Sequence, residues 1–257
     1  MELKDKVVVV TGAAGGIGGA LVDQFRSEGA TVIGSDLKVP EQTQANRFLI
    51  NDISTEDGVK SLIDDVLAHE GQIDLFCSNA GIALPMDAFS PEKYWDKTLD
   101  INLKSHYWAA RHVLPHMIER GSGYLLNTAS AAGLLNEIDS FGYGVTKHAA
   151  IGLAEWLAFT YRDKGIRVSV LCPEGVKTQM IAHSPYLQAS AITAEELAKI
   201  TSEAIHAERF MITTHPHTIE AFQKKAANYQ GFIDFMVQRR AQAISMREAL
   251  KKSSTAS

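Results

Sequence analysis

The chain has 257 residues, room for one large domain or two small ones. Hydrophobic residues make up 46% and charged residues 21%, which predicts a sizeable core and excludes a disordered chain. The net charge of −5 leaves no basic surplus for a nucleic-acid partner, and no apolar run approaches the ~20 residues that a membrane span needs.

From the N-terminus, MELKDKVVVV lacks the basic flank and apolar stretch of a signal peptide. VVVVTG (7–12) is an apolar run that ends in glycine, the pattern of a strand buried on both faces. Residues 17–29 repeat apolar positions at helical spacing and close on Gly29. TVIGSD (31–36) and RFLINDI (47–53) read as strands, and 54–71 as a helix opened by a serine cap. DLFCSNAG (74–81) is a further strand-to-glycine segment. A long helix or helix pair is expected over 90–121, with Pro91 at its start. A strand over 124–130, a helix over 141–163 and a strand over 166–175 follow. Beyond 175 only helices are expected, at 194–208 and about 217–247, and the polar KKSSTAS (251–257) reads as a disordered tail.

This alternation predicts an α/β fold: one Rossmann-like doubly wound parallel sheet flanked by helices, with a helical C-terminal extension. Neither a linker nor an internal repeat divides the chain, so 1–250 is read as a single domain. Ligands in such a sheet bind beyond the carboxyl ends of the strands. Cys77 and Cys172 lie in apolar runs and read as buried thiols of a reducing, cytoplasmic compartment.

TGAAGGIGGA (11–20) joins the first strand to the first helix. Gly12, Gly16 and Gly18 would allow a tight turn and close approach of a pyrophosphate to the helix N-terminus. Asp36 ends the second strand, where a carboxylate can accept from the ribose hydroxyls of a dinucleotide and repel a 2′-phosphate. No Arg or Lys stands at Ala14 or Gly15 to attract that phosphate, although Lys38 is near. The plain alternative is a glycine-rich turn with a solvated aspartate. Tyr143 and Lys147 lie four apart and share a helix face, so an ammonium would favour the phenolate. Such a phenol can exchange a proton with an alcohol or carbonyl oxygen, and Ser130, just before this helix, can bond that oxygen.

TGAAGGIG, SNAG (78–81), Ser130 and YGVTK together resemble the short-chain dehydrogenase/reductases, from about residue 5 to about 180. The resemblance implies a dinucleotide-binding and catalytic domain whose catalytic set is Asn102, Ser130, Tyr143 and Lys147. It implies cofactor contacts at Gly12, Gly16, Ile17, Gly18, Asp36, Asp52, Ile53, Asn79, Ala80, Gly81, Tyr143, Lys147, Pro173, Val176 and Thr178. Ser78 replaces a common asparagine, and Glu174 interrupts the proline–glycine pair of the segment beside the nicotinamide. Asn102 matches the helix asparagine that holds a relay water.

The expected activity is hydride transfer between a secondary alcohol or ketone and NAD, with NADP less favoured. Non-catalytic dinucleotide binding, imine reduction and epimerisation stay as alternatives. The expected substrate pocket includes Ser130, Leu135, Tyr143 and Met180, with Leu134, Ile138, Val176 and part of 183–216 nearby. These mostly apolar residues favour an uncharged, moderately hydrophobic substrate. No metal site is expected: His112 and His116 lack a third ligand, and His215 and His217 read as a turn near the active-site lid. A homodimer or homotetramer built on the helices at 90–120 and 141–163 is implied by the resemblance.

Overall fold

The computed structural model describes residues 1–182 and 185–254. Seven parallel strands form one sheet in the order β3-β2-β1-β4-β5-β6-β7. They are β1 (Val7–Thr11), β2 (Thr31–Asp36), β3 (Arg47–Ile50), β4 (Leu75–Ser78), β5 (Gly123–Thr128), β6 (Ile166–Cys172) and β7 (Met211–Thr213). The helices are α1 (Gly16–Ser27), α2 (Glu56–Glu70), α3 (Glu92–Leu99), α4 (Ser105–Glu119), α5 (Ala132–Leu135), α6 (Phe141–Tyr161), α7 (Pro185–Ala189), α8 (Ala194–His206), α9 (Pro216–Ala227) and α10 (Tyr229–Ser254).

Strand alternation sorts the core into two layers. Val7 and Val9 of β1 face a cluster with Val59, Leu62 and Val66 of α2, Val113 of α4 and Ala154 of α6. Val8 and Val10 face the other side, with Leu21 and Phe25 of α1 and Leu197 and Ile205 of α8. Burial on both faces explains the unbroken apolar run VVVV. Strand order reverses between β1 and β4, which opens a crevice at the carboxyl ends of these two strands.

Local chemistry sets the helix ends. Thr55 caps α2 through the Gly58 N–H at 3.1 Å, and Gly71 ends it in the left-handed region at φ 76°. Thr193 and Glu196 form a reciprocal capping box on α8. The single-domain reading is compatible with one continuous sheet but rests on the sequence.

Several expectations are corrected. The region beyond 175 is not purely helical, because β7 pairs with β6 in register Leu171↔Ile212. Three residues bounded by RF and THP carry too little periodicity to read as a strand. The strand expected at 47–53 stops at Ile50, and Asp52 enters a turn in which its Oδ1 accepts from Ser54 N at 2.9 Å. Of the two readings of 90–121, one long helix or a helix pair, the structure has the pair, α3 and α4, joined by a π-helical turn, Asp100–Lys104. Residues 217–247 split at Asn228 into α9 and α10. The polar tail was expected to be disordered from 251, yet α10 runs through Ser254; residues 255–257 lie outside the described residues, as do 183 and 184 of the expected pocket segment.

Candidate active site

The loop between β1 and α1 is shaped by what its glycines permit. Gly12 and Gly16 have φ of +69° and +55°. A Cβ on Gly18 would lie 2.0 Å from the Gly12 carbonyl oxygen, so only glycine fits there. At Gly15 a Cβ would meet nothing within 4 Å, which leaves one face of the loop open. No side chain caps α1, and its first turn carries no acidic residue. The N–H groups at its start are therefore available to an anion, as a pyrophosphate requires.

Asp36 stands at the mouth of this loop. One carboxylate oxygen accepts from Ala14 N at 3.0 Å and the other from Leu37 N at 2.7 Å. Thr11 Oγ1 accepts from Asn79 N at 3.0 Å and Ala80 N at 3.2 Å, while Asn79 Nδ2 donates to Thr11 O at 3.0 Å. Thr128 Oγ1 donates to Asn79 Oδ1 at 3.2 Å. Asn79 thus ties together the carboxyl ends of β1, β4 and β5. These residues fit a dinucleotide: an open glycine turn, an uncapped helix start and a carboxylate beside them.

The second half of the site comes from β5, α6 and the π turn. Ser140 caps α6 by accepting from Tyr143 N at 3.2 Å, which places Tyr143 in the first turn. The Ser130 side chain stands close enough to the Tyr143 phenol to lower its titration, and Ser130 Oγ itself donates to Pro173 O at 3.4 Å. Ser130 Oγ also accepts from Ala132 N at 3.1 Å. Lys147 is buried; its Nζ donates to Thr128 O at 2.8 Å and lies 5.6 Å from the Tyr143 ring centroid. Asn102, fully buried in the π turn, accepts from Ile82 N and donates to Ile82 O, both at 2.9 Å. Gly81 separates Asn102 from Lys147, since a Cβ there would lie 3.4 Å from both Asn102 Oδ1 and Lys147 Nζ.

Burial controls the titration of this pair. It lowers Lys147 from its usual value to about 8. It also pushes the Tyr143 phenol up, with the Ser130 side chain pulling part of the way back. The expected lowering of the phenol by Lys147 is thus not what the structure has: burial raises it. The ammonium makes its hydrogen bond to the strand carbonyl instead.

The segment after β6 closes over the glycine loop. A Cβ on Gly16 would lie 3.3 Å from Thr178 Cγ2. Val176 is buried and bridges to Ile192. Pro173 O accepts from Ala131 N at 2.7 Å, next to Ser130. Glu174 stands where the motif has glycine, and it is not among the described non-glycine residues with positive φ. Its carboxylate accepts from Thr218 Oγ1 at 3.0 Å and pairs with His217 Nε2 at 2.9 Å.

The remaining expected residues divide. Ile53 packs on the core, and Asp52 is exposed in its turn. Leu134 is core rather than pocket surface; its carbonyl accepts from Lys225 Nζ at 2.5 Å. Leu135 is half-buried against the same core, and Met180 is exposed on the 3-10 turn after Thr178. Two concavities of about 290 Å³ are present. One, at the amino ends of β6 and β7, is remote from the catalytic groups. The other lies between Met86, Ile138 and Asp139 and the Arg240 and Ile244 side chains of α10. His112 pairs with Glu56 at 3.0 Å, and no metal-binding group of three His, Cys, Asp or Glu occurs among the described residues. Both cysteines are free and buried. Thr11 and Thr128 escaped the sequence reading because their roles are hydrogen bonds between distant segments, hinted at only by the position of Thr11 at the head of the glycine motif; Ser140 is a local cap three residues before Tyr143, a signal the sequence does carry.

The family model for short chain dehydrogenase matches residues 6–188. The chain is 31% identical to 3beta-hydroxysteroid dehydrogenase 2 of Eggerthella lenta, over 69% of this chain and 74% of that protein. It is 32% identical to NAD-dependent glycerol dehydrogenase of Listeria innocua, over 70% of this chain and 74% of that one. The solved short-chain dehydrogenase/reductase from Burkholderia phymatum in complex with NAD superposes with a TM-score of 0.80 at 26% identity, covering 90% of this chain and 96% of that one. Fold, strand order and matched segment agree, and the chain belongs to the short-chain dehydrogenase/reductase family of oxidoreductases.

Proposed function

We propose that this chain is an NAD(H)-dependent enzyme that interconverts a secondary alcohol and a ketone. The observation that carries the reading is Lys147, buried with its Nζ 5.6 Å from the Tyr143 ring centroid and 2.8 Å from Thr128 O, with Ser130 beside the phenol, at the sheet edge that holds the glycine loop. A bound nicotinamide would accept or deliver the hydride. Gly12, Gly16, Ile17, Gly18, Asn79, Ala80, Gly81 and Thr178 would hold the cofactor along the crevice, with Asp36 on the adenosine ribose. Asp52 and Ile53 flank the adenine side, and Pro173 and Val176 flank the nicotinamide. Ser130 steadies the substrate oxygen. Tyr143 takes the hydroxyl proton in oxidation and returns it in reduction. Lys147 holds the nicotinamide ribose and favours the phenolate, and Asn102 connects Lys147 to solvent through water.

Asn102 also favours turnover over a purely binding role, because a sensor needs no buried amide fixed beside the lysine. Imine reduction or epimerisation would use the same residues. A cytoplasmic location suits two buried free thiols. Residues 1–250 form the proposed catalytic unit.

The deciding experiment is a turnover screen of secondary alcohols, ketones and imines with NAD(H) and NADP(H), on the wild type and Tyr143→Phe. Substitution of the phenol should keep the fold and remove ~10²–10⁴-fold of the rate. Retention within about threefold would refute the tyrosine assignment. The pH dependence has a definite sign. Tyr143 is raised by burial, so oxidation, which needs the phenolate, should accelerate into the alkaline range. Reduction needs the protonated phenol and should be supported at neutral pH, then fall as pH rises. Opposite slopes would contradict this role.

A further inference from the structure

Three buried polar atoms without a hydrogen-bond partner are grouped near Lys147: Nδ1 and Nε2 of His106 and Nδ2 of Asn127. The function proposed above uses neither residue. His106 is 1% exposed and stands four residues after Asn102, just beyond the π turn. Asn127 precedes Thr128, whose carbonyl accepts from Lys147 Nζ. Alternation along β5 places Asn127 on the side of Leu125, which packs toward α4 and α6. His106 and Lys147 come from those same two helices.

The donors and acceptors there do not satisfy one another. Burial, with the nearby Lys147 charge, holds His106 down at about 3, so the imidazole is neutral and offers one donor and one acceptor. Asn127 approaches the ring closely enough to pull that value back up, but neither ring nitrogen reaches hydrogen-bond geometry. The Asn127 amide nitrogen is a donor, and the Lys147 ammonium has donors beyond the one taken by Thr128. A water can accept from the amide or the ammonium and donate to the imidazole, and so bridge groups that do not meet in hydrogen-bond geometry.

We propose that His106 and Asn127 hold an internal water against Lys147 Nζ, and that His106 is thereby a positioning residue for the lysine. The catalytic half of this statement rests on the oxidoreductase reading; the water site does not. The titratable groups facing Lys147 are Tyr143 on its own helix, Cys172 from β6 and His106 from α4. A water that accepts from the ammonium stabilises its charged form, so loss of the site should lower Lys147 further.

The first test is a high-resolution crystal structure of the wild-type protein without added cofactor. An ordered water within hydrogen-bond distance of His106, Asn127 and Lys147 is expected; imidazole nitrogens bonded only to protein atoms would overturn the site. This test does not depend on turnover, so it survives failure of the enzymatic reading. The second compares His106→Phe with His106→Gln. Phenylalanine fills the space without polar atoms and should lower kcat about ten- to a hundredfold with KM nearly unchanged. It should also move the pH-profile limb of Lys147 to lower pH. Glutamine keeps a donor and an acceptor and should restore most of the rate. A folded Phe variant with wild-type kcat and pH profile would overturn the positioning role. Should that variant not fold, a Gln variant as impaired as a His106→Leu control would do so.

Discussion

Lys147 keeps an amine at a place that is 2% exposed, with the Thr128 carbonyl as acceptor at 2.8 Å. Its folded-state value of about 8 lies below the ordinary 10.5. Between these values the unfolded chain binds more protons than the folded one, so stability should rise with pH from about 8 to about 10.5. Below pH 8 the cost of the buried charge is fully present. Lys147→Met should therefore stabilise the protein at pH 7 by about 1–3 kcal/mol while turnover falls. Denaturation of both chains from pH 6 to 10 checks this; a variant less stable than wild type at pH 7 would mean that the hydrogen bond outweighs desolvation. Asp36 is the second residue with a separable role. Its carboxylate would face the extra phosphate of NADP(H), and a like-charge contact worth ~1.4 kcal/mol already gives tenfold. Asp36→Ala should weaken NAD(H) and narrow its advantage over NADP(H), measured as kcat/KM for each. Equal efficiencies in the wild type would show that the carboxylate stays on Ala14 and Leu37 and does not read the ribose.

At the level of elements, Glu174 fastens the helical extension to the cofactor segment. Glu174 follows Pro173 and reaches the first turn of α9, where it meets His217 and Thr218; its own N–H donates to Thr214 Oγ1 at 3.3 Å. His215, buried at the cap of α9, bonds Ser190 O at 2.9 Å and so ties in the segment after α7. A carboxylate at a helix N-terminus is favoured by the dipole as well as by these donors. The His217 contact is largely exposed and contributes little, whereas Thr218 is fully buried and would lose its acceptor. Glu174→Ala should cost about 1–2 kcal/mol of stability and raise KM for NAD(H) more than it lowers kcat. Thermal denaturation and cofactor titration test this, and unchanged stability would show that α9 is held by its packing alone.

For the whole molecule, we propose that the outer faces of α4 and α6 form the assembly surface. Tyr107, Val145, Trp156 and Phe159 are all exposed, Phe159 at 70%. Large apolar side chains grouped on adjacent helices usually mark a contact surface. We expect a dimer or tetramer at micromolar concentration by light scattering, and Phe159→Asp should shift it toward monomer. A monomer mass for the wild type would leave these side chains as solvent-facing.

The sequence by itself determined the α/β class, the parallel sheet and most of its strands. Runs such as VVVV need burial on both faces, and glycines at fixed spacing need a tight turn. It also brought Tyr143 and Lys147 onto one face, because helical periodicity is local. β7 escaped it, since a three-residue edge strand is stabilised by pairing with β6 and leaves almost no periodic trace. The direction of the Tyr143 shift was decided by tertiary structure alone. Spacing places an ammonium near a phenol, but burial depends on what other segments pack around them, and here desolvation is the largest influence on the phenol and raises it. The same holds for Glu174 and Thr128. Their partners come from segments 40 or more residues away, and only the assembled sheet brings those groups within bonding distance.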